Sequence, residues 1–165
     1  MPADSELVAV HTMPVDMGTL LHLLDTCAAS ALASYRLDIH CQRHGHAHQQ
    51  GSRKRYATEA VDAFQALGIN EIVSITTDPL SALKQKVADE GITLPVLSDP
   101  SLAVSQAYST NSYGMMGTSR DGHSFIVVGP DGTIKWRADY GGAPNYTMYV
   151  PVPNLLADIR AGLAK

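Results

Sequence analysis

Twice in this sequence a short apolar run ends in an Asp-Pro dipeptide and passes into a segment with helical periodicity. Glu71-Ile-Val-Ser-Ile-Thr-Thr77 is followed by Asp78-Pro79, and Leu94-Pro-Val-Leu97 by Ser98-Asp99-Pro100. Runs of this length and β-branched content suit buried strands. Asp before Pro suits a helix N-cap and first turn. Upstream, Ala57, Ala60, Val61, Phe64 and Leu67 recur at three- and four-residue steps, which predicts a helix capped by Gly68. Leu80, Leu83 and Val87 mark the inner face of the next helix, ending before Gly91, and a short helix after Pro100 runs to about Tyr108. Strands linked through helices pair in parallel, because a parallel pair needs a long crossover.

Downstream the connection changes. Residues 109–122 form a loop rich in Ser, Thr, Asn, Gly and Met. Phe125-Ile-Val-Val128 and Thr133-Ile-Lys-Trp136 are joined by Gly129-Pro130-Asp131-Gly132, the chemistry of a type I turn closed by a left-handed residue. This predicts an antiparallel hairpin. Tyr140 to Pro153 reads as irregular, and Leu155, Leu156, Ile159 and Leu163 mark a final amphipathic helix. The order α-β-α-β-(α)-β-β-α is that of an α/β protein with a mixed central sheet flanked by helices.

The N-terminal third reads differently. Six of the seven histidines precede residue 55, and His40 to Arg55 is mostly His, Gln, Arg and Gly. Residues 1–55 hold equal numbers of acids and bases, so the whole net charge of −4 comes from the rest. The expected division is a divergent, poorly specified segment over 1–55, loosely packed or the product of a shifted reading frame, and an ordered domain over 56–165. The acidic balance lacks the basic face of a nucleic-acid binder. No stretch is apolar enough to span a membrane, and Met-Pro-Ala-Asp-Ser-Glu lacks the basic start of a signal peptide. A cytoplasmic location is expected. Two cysteines in 165 residues are no disulfide framework, so a functional thiol would be a reactive one.

Five segments in this order resemble a known family. They are Phe64-Gln-Ala-Leu-Gly68, Val73-Ser-Ile-Thr-Thr-Asp-Pro79, Leu94-Pro-Val-Leu-Ser-Asp-Pro100, Ala103-Val-Ser-Gln-Ala-Tyr108 and His123-Ser-Phe-Ile-Val-Val-Gly-Pro-Asp-Gly-Thr-Ile134. The tail from Trp136 to Tyr149 looks like that of bacterial redoxin-domain proteins. Together these segments resemble the peroxiredoxin-like redoxin family (alkyl hydroperoxide reductase and thiol-specific antioxidant) over about residues 57–165. The resemblance implies a thioredoxin-like fold and a thiol-dependent antioxidant oxidoreductase, which reduces peroxides or disulfides through a cysteine thiolate. It implies a dithiol reductant such as a thioredoxin, no metal or organic cofactor, and a homodimer as one assembly. The alternative is a non-catalytic thioredoxin-fold module.

In the family the reactive cysteine starts the first core helix, where the helix dipole and free N–H groups favour thiolate. That place falls in His46-Ala-His-Gln-Gln50, which contains no cysteine. Cys41 is the nearby candidate, flanked by His40, Arg43 and His44, whose charge would favour thiolate. The strand it closes, Tyr35-Arg-Leu-Asp-Ile-His-Cys41, alternates strictly and so predicts an edge or half-buried strand. Cys27, in an apolar helical stretch, reads as core packing. His40-Cys41-x-x-His44-x-His46-x-His48 offers zinc- or copper-type ligands, but a solvated polar loop is the plainer reading and no metal is assigned. Arg120 stands further from the Phe125 strand than the family's peroxide-holding arginine, and reads as a loop residue. Tyr140, Tyr146 and Tyr149 read as a packed loop over the sheet edge, and Asp78 and Asp99 as helix caps.

Overall fold

The computed structural model describes residues 7–9, 13–15, 35–41, 60–114, 118–147 and 149–165. These residues form strands β1 (Leu7–Ala9), β2 (Met13–Val15), β3 (Tyr35–Cys41), β4 (Ile69–Thr76), β5 (Val96–Ser98), β6 (Ser124–Val128) and β7 (Ile134–Asp139). The helices are α1 (Val61–Gln65), α2 (Leu80–Glu90), α3 (Ala103–Ala107) and α4 (Val152–Leu163), with a 3-10 turn at Thr110–Tyr113. All seven strands join one sheet in the order β2-β1-β5-β4-β3-β6-β7. β3, β4 and β5 run parallel, and every other pair is antiparallel. This is the mixed sheet that the element order predicts, widened by a β1–β2 hairpin that the sequence reading did not anticipate.

Strand register sorts the side chains onto two faces. Leu37 lies opposite Val127, Ile39 opposite Phe125, and Val127 opposite Trp136. On this face Phe64 of α1 and Leu155 and Ile159 of α4 close one core with Leu37, Ile39, Phe125 and Val127. Each such side chain contributes about 1.5–3 kcal/mol on burial. α2 packs Leu83 and Val87 against Ile92 and Val96. The opposite face carries a second cluster, in which Val104 and Tyr108 cover Val73, Ile75 and Leu97.

The expectation of an edge or half-buried β3 is overturned. β3 lies between β4 and β6, and Arg36 through His40 are all buried. The alternating polar residues are covered because they find partners. Arg36 Nε and Nη2 donate to Asp38 Oδ1 and Oδ2 at 2.7 and 2.9 Å, a bidentate pair two residues apart on one face. Sheet burial is thus paired with charge pairing, which an apolar-run criterion for central strands misses.

The cap assignments need correction. α2 begins at Leu80 after Pro79 as N-cap, and no side chain caps it. α3 begins only at Ala103, after a left-handed Leu102. Asp99 still serves its first turn from further back, accepting both Ser105 N–H at 2.9 Å and Ser105 Oγ–H at 2.7 Å. The hairpin is as expected. Gly132 N–H donates to Gly129 C=O, and Gly132 takes φ 75°, a value that glycine adopts without strain.

α4 seats against β7 at a glycine. A Cβ on Gly162 would lie 1.8 Å from Trp136 Cδ1 and 2.4 Å from Nε1. Gly to Ala within a helix ordinarily stabilises by about 0.5–1 kcal/mol. Here Gly162→Ala should instead destabilise by about 1–3 kcal/mol, as overpacking does. Urea unfolding of Gly162→Ala, with and without Trp136→Leu, checks this. The penalty should vanish in the double variant, and a Gly162→Ala protein at least as stable as the parent would refute the contact.

Candidate active site

Ligand sites in open α/β sheets gather at the carboxyl ends of parallel strands. Here that edge is built by the last residues of β3, β4 and β5. Cys41 is the register partner of Thr76, and Thr76 of Ser98. Two hydroxyls at this edge are tied to the turn that follows β4. Asp78 N–H donates to Thr76 Oγ at 3.4 Å, and Ser98 Oγ donates to Asp78 C=O at 2.7 Å. Cys41 therefore stands at the end of β3. Among the described residues the next helix begins at Val61.

One residue earlier, His40 anchors a buried polar cluster. Its ring is 0 % exposed, far from the solvated loop expected of it. His40 Nδ1 lies 3.2 Å from Asp121 Oδ2 and 3.3 Å from Thr110 Oγ. Thr110 has one hydroxyl hydrogen, and the 2.5 Å contact to Asp121 Oδ1 takes it ahead of the 3.2 Å approach to Ser105 C=O. Asp121 accepts from both neighbours, so Nδ1 carries the hydrogen. Nε2 has no hydrogen-bond partner among the described residues. The imidazole is thus oriented by a carboxylate, with its second nitrogen uncommitted. That geometry suits a proton carrier, though here it is sealed beneath the Tyr108 ring, 5.5 Å away.

The arginine at this end of the sheet is Arg137, which the sequence reading did not single out. Register carries His40 across Ser124 to Asp139. Arg137 donates from Nε and Nη2 to Asp139 at 2.9 Å, and Nη1 donates to the Tyr108 carbonyl. Its guanidinium also lies over the Tyr113 ring, 5.4 Å from the centroid. Ser124 Oγ donates to Asp139 at 2.6 Å. Arg137 thereby pins both ends of the segment from Tyr108 to Tyr113. Arg120, half-buried before β6, takes part in none of these contacts. Signals for the cluster existed only as alternation. Arg36-x-Asp38-x-His40 and Arg137-x-Asp139 put like-facing polar residues on strands that flank β6.

Charge and burial act on the same groups. Burial pushes the Tyr108 phenol up, and the Asp38 charge adds to it. Burial pulls Arg36 down, but the charge and hydrogen bonds of Asp38, joined by Tyr108 and Glu71, together outweigh it and its pKa rises. Both shifts keep a charged Arg36 guanidinium beside a neutral phenol. His123 is buried with its ring edge-on to Phe125, the two centroids 5.1 Å apart. The tyrosines are dispersed in environment. Tyr140 OH donates to Asp158 at 2.6 Å, whereas Tyr146 is 63 % exposed. Cys27, His44, His46 and His48 lie outside the described residues. Among the described residues no group of three or more His, Cys, Asp or Glu could hold a metal ion, and no helix is long and apolar enough to cross a membrane.

A profile of the AhpC/TSA family matches residues 54–137. No curated protein matches the chain in sequence. Among solved structures, a cysteine-to-serine mutant of Xylella fastidiosa PrxQ has a TM-score of 0.68 at 12% identity, covering 94% of this chain and 87% of its own. Enterococcus faecalis AhpC has a TM-score of 0.66 at 14% identity, covering 96% of this chain and 90% of its own. Bacterioferritin comigratory protein of Xanthomonas campestris has a TM-score of 0.66 at 14% identity, covering 98% and 94%. Identities this low speak for the fold alone, and that fold is the thioredoxin-like one expected from the sequence.

Asp121→Ala strands a buried imidazole N–H and a buried hydroxyl, each costing about 1–3 kcal/mol. The expected loss in chemical denaturation is therefore about 2–6 kcal/mol, with Thr110→Val costing less and the two changes not additive. Additive losses would contradict a shared cluster. Tyr140 supplies a pH test. Burial first, then the Asp158 hydrogen bond and charge, push its phenol up. Above about pH 10 the unfolded chain has released this proton while the folded chain still holds it. Stability should accordingly be full below that pH and fall as pH climbs further. Melting temperatures at about pH 9 and about pH 11 should show a smaller decline in Tyr140→Phe than in the parent.

Proposed function

Because the chain belongs to the AhpC/TSA family, we propose that it is a thiol-dependent antioxidant oxidoreductase, reducing peroxides or disulfides through the thiolate of Cys41. The observation that carries this reading is the place of Cys41. It closes a buried parallel strand, in register with Thr76, at the sheet edge where α/β ligand sites lie. The Xanthomonas campestris neighbour is described as reducing alkyl peroxides, which supports the substrate class.

In the proposed reaction the Cys41 thiolate attacks the outer oxygen of a hydroperoxide. A sulfur–oxygen bond forms, the oxygen–oxygen bond breaks, and the departing alkoxide takes a proton to leave as alcohol. Cys41 is left as a sulfenic acid. A dithiol reductant such as a thioredoxin then condenses with it, releasing water and forming a mixed disulfide. The reductant's second thiol displaces Cys41, restores its thiol and leaves as the disulfide. The reading places the protein in a reducing, cytoplasmic setting, and a homodimer is its proposed assembly. It invokes no cofactor.

A specific observation favours a second reading, a thioredoxin-fold module without catalysis. His46-Ala-His-Gln-Gln50 has no cysteine where the family's helix-starting thiol belongs. Thiol loss and sulfenate trapping after hydrogen peroxide separate the two, measured in a Cys27→Ser background. The enzymatic reading expects Cys41 to react well faster than free cysteine and Cys41→Ser to abolish turnover with a thioredoxin system. A rate equal to that of free cysteine leaves the module as the function.

A further inference from the structure

The register that centres β3 also brings a second titratable residue to the Cys41 end of the sheet. In the β3–β6 ladder Ile39 lies opposite Phe125 and His40 opposite Ser124. β3 runs one residue further, to Cys41. The same antiparallel step sets Cys41 opposite His123, and opposite residues of such a pair have Cβ atoms about 4.5–5.5 Å apart. His123 keeps the course of β6. Tyr140 N–H donates to its carbonyl at 2.8 Å, which carries the β6–β7 ladder one step past Ser124–Asp139. Strand alternation puts Cys41 on the face that carries Leu37 and Ile39. His123 shares that face with Phe125, their ring centroids 5.1 Å apart and edge-on. His123 is 1 % exposed, and a Cβ on Gly141 would stand 2.6 Å from its backbone nitrogen and 3.2 Å from its Cβ. Packing thus fixes position 123 against the end of β7.

We propose that His123 is the base that takes the thiol proton of Cys41. This rests on the reading of Cys41 as the peroxide-reducing thiol and adds the group that generates its thiolate. In the step the Sγ–H bond breaks and the proton moves to an imidazole nitrogen, leaving thiolate beside imidazolium. The thiolate electron pair attacks the outer oxygen of the peroxide and the oxygen–oxygen bond breaks. The departing alkoxide takes the proton from His123 and leaves as alcohol, so the imidazole ends neutral and the sulfur as sulfenic acid. Histidine suits this role because its ordinary titration lies near neutrality, where it both accepts and returns a proton. The other titratable groups packed around this point have partners of their own. Asp121, ahead of β6, holds His40 and Thr110. On β7 and just past it, Asp139 is bound by Arg137 and Ser124, and Tyr140 by Asp158 of α4. Tyr113 of the 3-10 turn lies under Arg137.

The test follows alkylation of Cys41 by iodoacetamide against pH, with the hydrogen peroxide reaction alongside, in the full chain carrying Cys27→Ser. The alkylation midpoint should lie below the free-thiol value of about 8.5, and His123→Gln should raise it toward that value. At pH 7 the variant should alkylate and react with peroxide about tenfold or more slowly, while the two proteins converge above about pH 10, where solvent ionises either thiol. A second measurement needs no substitution at His123. Its ring-proton NMR resonances should titrate at a higher pH in the parent than in Cys41→Ser, because a neighbouring thiolate favours imidazolium. An alkylation midpoint unmoved in a normally melting His123→Gln, a loss of rate equal at every pH, or a His123 titration indifferent to Cys41→Ser overturns the proposal. A midpoint that moves, in a protein no faster with peroxide than free cysteine, upholds the proton transfer and removes only the peroxide reading.

Discussion

The described fold depends on β3 lying in the middle of a sheet while carrying an arginine, an aspartate and a histidine on one face. Each group would cost several kcal/mol if buried alone. They are tolerated because each meets a partner at short range. Arg36 and Asp38 close on each other along the strand. His40 closes on Asp121 and Thr110, which arrive from more than sixty residues downstream. Losing one partner would strand the other in a place water does not reach. The central strand and the loop before β6 are therefore mutually conditional.

That dependence also orders the carboxyl edge of the sheet. Thr110, Asp121 and Arg137 bind the segment between α3 and β6 to the strands, and the left-handed residues Leu102 and Ser109 turn the chain sharply at either end of α3. Backbone strain of this sort persists only where surrounding contacts over-determine it. The opposite face relies on ordinary apolar packing by α1 and α4. One face thus adds directional bonds to its own apolar cluster, and the other relies on area. The polar face is the more sensitive to single polar substitutions, and the apolar face to changes of volume.

Much of this was legible in the residues. The β-branched runs before Asp78 and Asp99, the Pro130-Asp131-Gly132 turn and the spacing of Leu155, Leu156, Ile159 and Leu163 each report local physics, and each element overlaps the stretch its pattern marks, with ends shifted by one or two residues in β4 and β5. Asp99 was legible as a helix tether but not in its reach to Ser105, since a cap three residues displaced leaves no short-range signature. Arg137 escaped notice because its partners, the Tyr108 carbonyl and the Tyr113 ring, are distant in sequence. The β1–β2 hairpin escaped because three-residue strands carry too little periodicity to read.

By itself the sequence determined the alternation of strands and helices, the parallel-then-antiparallel order and the family resemblance. These follow from spacing, turn chemistry and propensity, all of which act over a few residues. It also determined that no cysteine occupies residues 46–50. Tertiary structure alone decided that Tyr35 to Cys41 is central and that His40 is sealed against Asp121. An alternating strand reads as half-wet until its second face is seen. Whether a charge is solvated or paired depends on a neighbour that only folding brings within 3 Å or so, the range over which hydrogen bonds act.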